Sequence, residues 1–428
     1  VCILQLKTLS LHPTKTKRRC RASKYTPMVW YLYNPNKNPI FATNKKRSMK
    51  HLHVYNLGPL REANIELRRF NLIIGKQSSG KSCVLRTASF CAWVEKRIAL
   101  AQSAEYFQKG SNFRDDLVRY HKMDGYFERD TFIAYETDCM KFEYDNKVEC
   151  FTFSWKTNRL NYKRAKISYI PSERNIVSLL PDWKSQVSTY DCVLDFMNDW
   201  DSARRYVRHT QDVLNLGMSY HYNPKTNEDK MLLRNKKELL LSNSSSGVQS
   251  LIPLYVSLDY LANGVYKAEH SITIKRTQEQ REQLQRLLKD LYFQVDRHTE
   301  VIEKYEIVQN LEGIDFRFDN KLAADEFMDI VNRFVLTQRS DVYLEEPEDN
   351  LFPPTQCQLM DWLIDLAKRR KHIVSLFVTT HSPYILTHLL EHKIPGFRFF
   401  FTYKSQDKDG FVVRTATDAE IDEIYNDG

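Results

Sequence analysis

The eight residues Gly75-Lys76-Gln77-Ser78-Ser79-Gly80-Lys81-Ser82 combine two glycines, an amine and a closing hydroxyl in the spacing GxxxxGK[ST]. Those types at that spacing suit one task, holding the phosphates of a nucleotide. The glycines let the backbone curl so that successive N–H groups point inward at phosphate oxygens. A helix opening near Gly80 adds the positive end of its dipole. Lys81 is expected to reach the β- and γ-phosphates, and the Ser82 hydroxyl to complete a Mg2+ shell. The run follows the apolar Leu72-Ile73-Ile74 and opens an apolar stripe from Val84 to Ile98, so a strand must precede it and a helix follow it. ATP and Mg2+ are the expected cofactors.

A cradle of this kind also needs carboxylates. Asp341-Val342-Tyr343-Leu344-Glu345-Glu346-Pro347-Glu348 reads as a short apolar strand ending in two adjacent acids. Taken alone it is an acidic turn after a strand. Beside a phosphate cradle, Glu345 is expected to face the water shell of the metal, and Glu346 the water that attacks the γ-phosphate. A second strand, Ser375-Leu376-Phe377-Val378-Thr379-Thr380, runs into His381-Ser382-Pro383. A histidine at that strand edge suits a γ-phosphate sensor. Between these motifs Ser244-Ser245-Ser246-Gly247-Val248-Gln249-Ser250 leads into an apolar helix from Leu251 to Leu261, the shape of an anion-binding helix N-terminus.

In this order the four motifs resemble those of ABC-type ATPase heads of the RecF, SMC and OLD branch. The resemblance covers most of 49–403 and is densest over 50–90, 244–262 and 341–388. Glu345-Glu346-Pro347-Glu348-Asp349-Asn350-Leu351-Phe352-Pro353 resembles the combined Walker B and D-loop of that branch, and Thr380-His381-Ser382-Pro383 its switch histidine. The resemblance implies a homodimer that sandwiches two ATP molecules. Ser246 and Gly247, with Gln249 in the same signature, would then act in trans on the nucleotide held by the other subunit. Val248 stands where that signature usually has a second glycine. No clear Q-loop glutamine is present; Tyr169-Ile170-Pro171-Ser172-Glu173-Arg174-Asn175 lies at the right place, with Arg174 or Glu173 as substitutes. SMC heads interrupt the chain with long coiled coils, yet only about 160 residues separate Ser82 from Ser246. OLD nucleases add a Toprim domain after the switch histidine; the 47 residues that follow His381 are too few for one. Asp418, Glu420, Asp422 and Glu423 read as a solvated acidic tail.

The elements that must position these residues alternate strands with helical stretches, which predicts an α/β P-loop NTPase, an ABC-ATPase head, with a mixed sheet, an N-terminal antiparallel β subdomain and helical insertions. The insertions are expected at about 185–240 and 268–325, within one ATPase domain over 49–428. The net charge of +9 is concentrated at the start: residues 1–48 hold eleven Lys or Arg and no Asp or Glu. Removing those eleven from 63 leaves 52 basic against 54 acidic residues, so the body is close to neutral and its charge does not argue for nucleic acid. The leader reads as a basic arm, a targeting peptide or sequence ahead of a start at Met49, and is expected to be disordered or outside the native domain. Eight scattered cysteines with no CxxC pair suit free thiols in a reducing, cytoplasmic setting rather than zinc. No apolar run spans a bilayer, so no membrane partner is expected.

The function expected from these motifs is an ATP-hydrolysing homodimeric switch that acts on DNA or through a separate effector such as a nuclease, in genome maintenance or antiphage defence. A transporter energy subunit would show a fuller LSGGQ and a clear Q-loop. A non-catalytic nucleotide-gated scaffold would not need Glu346. A GTPase would carry an NKxD motif, which is absent.

Overall fold

The computed structural model describes residues 2–5, 50–180, 191–267, 278–296, 307–310, 313–318, 321–369, 372–391, 397–406, 409–417 and 419–420. Eleven strands form the main sheet: β1 (Lys50–Leu57), β2 (Leu60–Leu67), β3 (Phe70–Ile74), β4 (Phe127–Glu136), β5 (Met140–Asp145), β6 (Cys150–Trp155), β7 (Ala165–Ile170), β8 (Arg339–Glu345), β9 (Ile373–Thr380), β10 (Phe397–Lys404) and β11 (Phe411–Thr415). Their spatial order is β6-β5-β4-β1-β2-β11-β10-β3-β9-β8-β7. The five strands from β10 to β7 are all parallel, while β6, β5, β4, β1 and β2 pair antiparallel. The sheet is therefore mixed, with an antiparallel block built largely from the N-terminal part of the chain.

Side-chain alternation explains how the central strands hold two layers at once. Phe70, Leu72 and Ile74 of β3, Val342 and Leu344 of β8, and Val374, Leu376 and Val378 of β9 fill one core. Ile73, Tyr343 and Phe377 point the opposite way into a second core. Strands buried on both faces read as continuous apolar runs, as these do. Helix α1 (Lys81–Ala101) packs in the second core, burying Val84, Leu85, Ala88, Cys91, Val94 and Ile98. Helices α2 (Cys192–Tyr206), α3 (Ser246–Asp259), α4 (Gln278–Asp296), α5 (Lys321–Val335), α6 (Pro353–Lys368) and α7 (Pro383–Glu391) complete the layers used below. Of these, α2, α3, α6 and α7 pack in the first core, and α4 and α5 in the second.

Two expectations change. The stretch 185–240 is not a helical insertion throughout its described residues: α2 lies in its first half, but strands at Gln211–Asp212, Met218–Asn223, Glu228–Leu233 and Glu238–Leu240 form an antiparallel sheet. The reason is a period of two, which buries Tyr220, Tyr222 and Met231 on one face, where Asp229 accepts from Tyr220 and Arg204. The second stretch, 268–325, holds α4 and the start of α5, with strands Ile307–Asn310 and Gly313–Phe318 between them. Of the basic leader only Cys2–Gln5 lies inside the described residues, as a strand antiparallel to Gly313–Phe318. The acidic tail residues Asp418, Asp422 and Glu423 lie outside them.

Candidate nucleotide site

The cradle joins β3 to α1. Ser78 (φ 59°) and Gly80 (φ 87°) turn the backbone left-handed, and no side chain caps the N-terminus of α1. The first N–H groups of that helix are thus free for an anion. Gly75 is required by close approach, since a Cβ there would lie 1.7 Å from Thr402 Oγ1 on β10. That hydroxyl donates instead to Ser79 Oγ at 2.8 Å and fixes the loop from the neighbouring strand. Lys81 donates to the carbonyls of Gly75 and Lys76, each at 2.9 Å. Burial pushes its amine below the usual lysine range, while Glu346 and Glu348 pull the other way. Lys76, Gln77 and Ser78 are exposed along the rim, and Ser82 is half-buried.

The parallel sheet delivers the remaining groups to the same edge. β9 lies between β3 and β8, with Thr380 opposite Ile74 and Thr379 opposite Glu345. Glu345 is the last residue of β8 and its side chain is 3% exposed. Arg86, one helical turn beyond Ser82, places Nη2 3.6 Å from Glu345 Oε1. Tyr169, on β7, accepts from Arg86 Nε at 3.2 Å. Burial, then Glu345, hold the Tyr169 phenol well above its usual range, so it stays a donor.

Glu346 leaves the strand with a left-handed backbone (φ 40°). His381 Nδ1 is 3.5 Å from both Glu346 Oε1 and Glu348 Oε1. Glu348, buried, accepts from Thr380 Oγ1 at 2.5 Å and from the His381 N–H at 2.9 Å, fixing where the histidine starts. The structure therefore brings the cradle, Glu345, Glu346 and His381 to one sheet edge.

The Ser-rich signature lies at the N-terminus of α3. Ser246 is exposed, and Gly247 packs against the carbonyl of Asn350. Gln249 is held within its own chain. Its amide is buried and donates to the carbonyls of Ser242 and Ser244 in its own chain, at 2.9 and 3.0 Å. Arg174 does not replace a Q-loop glutamine. It is fully buried, with its guanidinium on the carbonyls of Glu345 and Glu346.

A P-loop between a parallel strand and a buried helix, a neighbouring Glu-Glu strand, and an attached antiparallel block settle the architecture. This is a mixed α/β fold built around a P-loop. No protein-family model and no curated protein sequence matches the chain. Among solved structures it is similar to the SMC head domain from Thermotoga maritima, with a TM-score of 0.41 at 10% identity over 86% of this chain and 99% of that one. It is also similar to the recombination mediator protein RecF with ATP, with a TM-score of 0.31 at 12% identity over 88% of this chain and 100% of that one. A third neighbour is MJ1267, an ATP-binding cassette of an ABC transporter, with a TM-score of 0.32 at 10% identity over 89% and 96% of the two chains.

The residues gathered at this edge fit Mg2+ and a nucleotide on their own geometry. Glu345 Oε1 is buried without a hydrogen-bond partner, the helix N-terminus above it is uncapped, and Lys81 is occupied only by carbonyls of its own loop. The signals that point to Arg86, Glu348 and Thr402 are weaker in sequence. Arg86 follows Ser82 by one turn, Glu348 sits inside the acidic motif, and Thr402 carries none.

Proposed function

We propose that this head hydrolyses ATP at the edge formed by β3, β9 and β8 and works as a homodimeric switch. The observation that carries the reading is the buried Glu345 carboxylate, beside the cradle strand's neighbour and followed at once by Glu346 in contact with His381. Lys81 exchanges its loop carbonyls for β- and γ-phosphate oxygens, and Ser82 and Glu345 hold the metal. Mg2+ supplies charge neutralisation on the phosphates as the γ-phosphoryl group is transferred. Glu346 takes the proton of the attacking water, and His381 stands beside it to contact the γ-phosphate.

A second copy is supported by what the edge leaves uncovered. Phe352, just after the acidic motif, is 73% exposed and Tyr384, just after His381, is 54% exposed. Ser246 is exposed at its helix N-terminus and free to meet another subunit's nucleotide. Closing two copies over two ATP molecules covers both features, and the stroke is passed to DNA or to a separate effector such as a nuclease, in genome maintenance or antiphage defence. Among the described residues no helix is long and apolar enough to cross a membrane.

The test is Glu346→Gln with ATP and Mg2+ on a sizing column. A slow ATPase that elutes as a nucleotide-bound dimer supports the reading; a variant that hydrolyses at the wild-type rate, or stays monomeric with ATP bound, sinks it. ATPase rates with double-stranded DNA, single-stranded DNA and RNA then separate direct nucleic-acid engagement from action through a protein.

A further inference from the structure

Glu346 occupies a backbone conformation that an L-residue enters at a cost. Its φ of 40° is left-handed, worth on the order of 1–3 kcal/mol for a residue with a Cβ. Something must hold it there. On one side its N–H donates to the carbonyl of Thr379 on β9 at 3.0 Å. On the other, its carbonyl accepts from Arg174 Nη2 at 2.8 Å, and the carbonyl of Glu345 accepts from Arg174 Nη1 at 3.0 Å. The same Nη1 reaches Pro171 O at 3.3 Å. Both peptide groups flanking the Glu346 Cα are thereby pinned. Because the Cα–Cβ direction follows from the backbone, the point from which the Glu346 side chain sets out toward His381 is pinned with them.

We propose that Arg174 is the positioning residue for Glu346, acting through the backbone and never touching the nucleotide. The inference rests on the reading of Glu346 as the group that takes the proton of the attacking water. Arg174 has no exposed surface, and its three acceptors are main-chain carbonyls. Burying a guanidinium costs several kcal/mol unless its hydrogen bonds repay it. The planar fork spans two successive carbonyls, which the single ammonium of a lysine does not. Arg174 also lies four residues before Ser178, whose hydroxyl donates to the carbonyl of Gln249 at the start of α3. The clamp on Glu346 is thus built into the segment that touches the signature helix.

The experiment compares the full chain with R174K, R174M, E346Q and R174K/E346Q. Single-turnover ATP hydrolysis, Mg·ATP affinity and melting temperature are measured for each. R174K is expected to fold, to bind Mg·ATP within about twofold of wild type, and to hydrolyse it about tenfold or more slowly, since misplacement of a reacting group by about 1 Å is that costly. Adding R174K to E346Q is expected to slow it no further, because the two act as one unit. R174K at the wild-type rate overturns the inference, as does an R174K that slows E346Q by its full factor. An R174K whose affinity falls in step with its rate is merely structural and overturns it too. A fast E346Q overturns the role of Glu346, and the inference with it; a slow E346Q beside a fast R174K overturns the inference alone. Where R174M fails to fold, R174K carries the test.

Discussion

Arg86 Nη2 and Glu345 Oε1 stand 3.6 Å apart, the guanidinium side chain 24% exposed and the carboxylate 3% exposed. Burial works against the charge on Arg86, and Tyr169 and Glu345 more than offset it, so the guanidinium is held firmly protonated. The pair compensates a carboxylate that is buried at the proposed metal position. Removing one member of a buried pair leaves the other uncompensated, at about 3–5 kcal/mol. Arg86→Met is therefore expected to lower the unfolding free energy by about 3 kcal/mol without nucleotide. With saturating Mg·ATP the deficit shrinks, because the metal then neutralises Glu345. Urea melts of wild type and variant, each with and without Mg·ATP, read both numbers. A deficit unchanged by Mg·ATP would show that the metal does not share Glu345.

How much of this site is legible in the sequence depends on how local each part is. The cradle, the Glu-Glu pair and the histidine are short motifs, and each sits at the end of a strand whose apolar run is visible. Gln249 is ambiguous in sequence because a glutamine near a helix N-terminus suits both an outward reach and an inward cap; its bonds to the carbonyls of Ser242 and Ser244 are visible only in the fold. Arg174 cannot be read at all without knowing that β7 pairs with β8, where Ile170 lies opposite Leu344 and brings the next turn under Glu345. In the 211–240 sheet the period of two is present in Met218–Asn223, but Glu228–Leu233 obscures it because its inward Asp229 is charged and is satisfied by Tyr220 and Arg204 from elsewhere in the fold.

Asp341, four residues before Glu345 on β8, anchors the far end of that strand. Its Oδ2 accepts from Lys50 Nζ at 2.6 Å, and Arg339 Nε lies 3.3 Å from Oδ1. Burial would raise the carboxyl, but Arg339 and Lys50 overcome it and hold Asp341 below the usual aspartate range. A depressed folded value contributes stability that is fully present above the unfolded value of about 3.9 and is lost as pH falls through the folded one. Asp341→Asn is accordingly expected to cost about 3–5 kcal/mol at neutral pH, by stranding Lys50 and Arg339. The gap between wild type and variant should stay constant from about pH 7 to pH 5 and narrow below about pH 4. Denaturant melts across that range check the sign; a gap that widens on acidification would mean the carboxyl is protonated in the fold.

Gly247 and Asn350 join the signature helix to the turn that follows Glu346. A Cβ on Gly247 would lie 2.7 Å from the Asn350 carbonyl oxygen, a backbone atom that cannot rotate away. Asn350 is itself left-handed (φ 61°), and its side-chain amide donates to Ser250 Oγ at 3.1 Å on the same helix. Gly247→Ala must therefore push the turn and the helix apart by several tenths of an ångström. The cradle makes no use of this contact, so one subunit should bind ATP with wild-type affinity. The signature and the turn both belong to the edge that a second copy covers in the proposed dimer, and their separation should weaken that closure. ATP-driven dimerisation and hydrolysis are expected to fall together, by about tenfold or more for a displacement approaching 1 Å. Sizing-column profiles of Glu346→Gln with and without Gly247→Ala, alongside ATP binding, make the comparison. Unimpaired ATP-driven dimers would show that this contact only packs the chain and does not shape the interface.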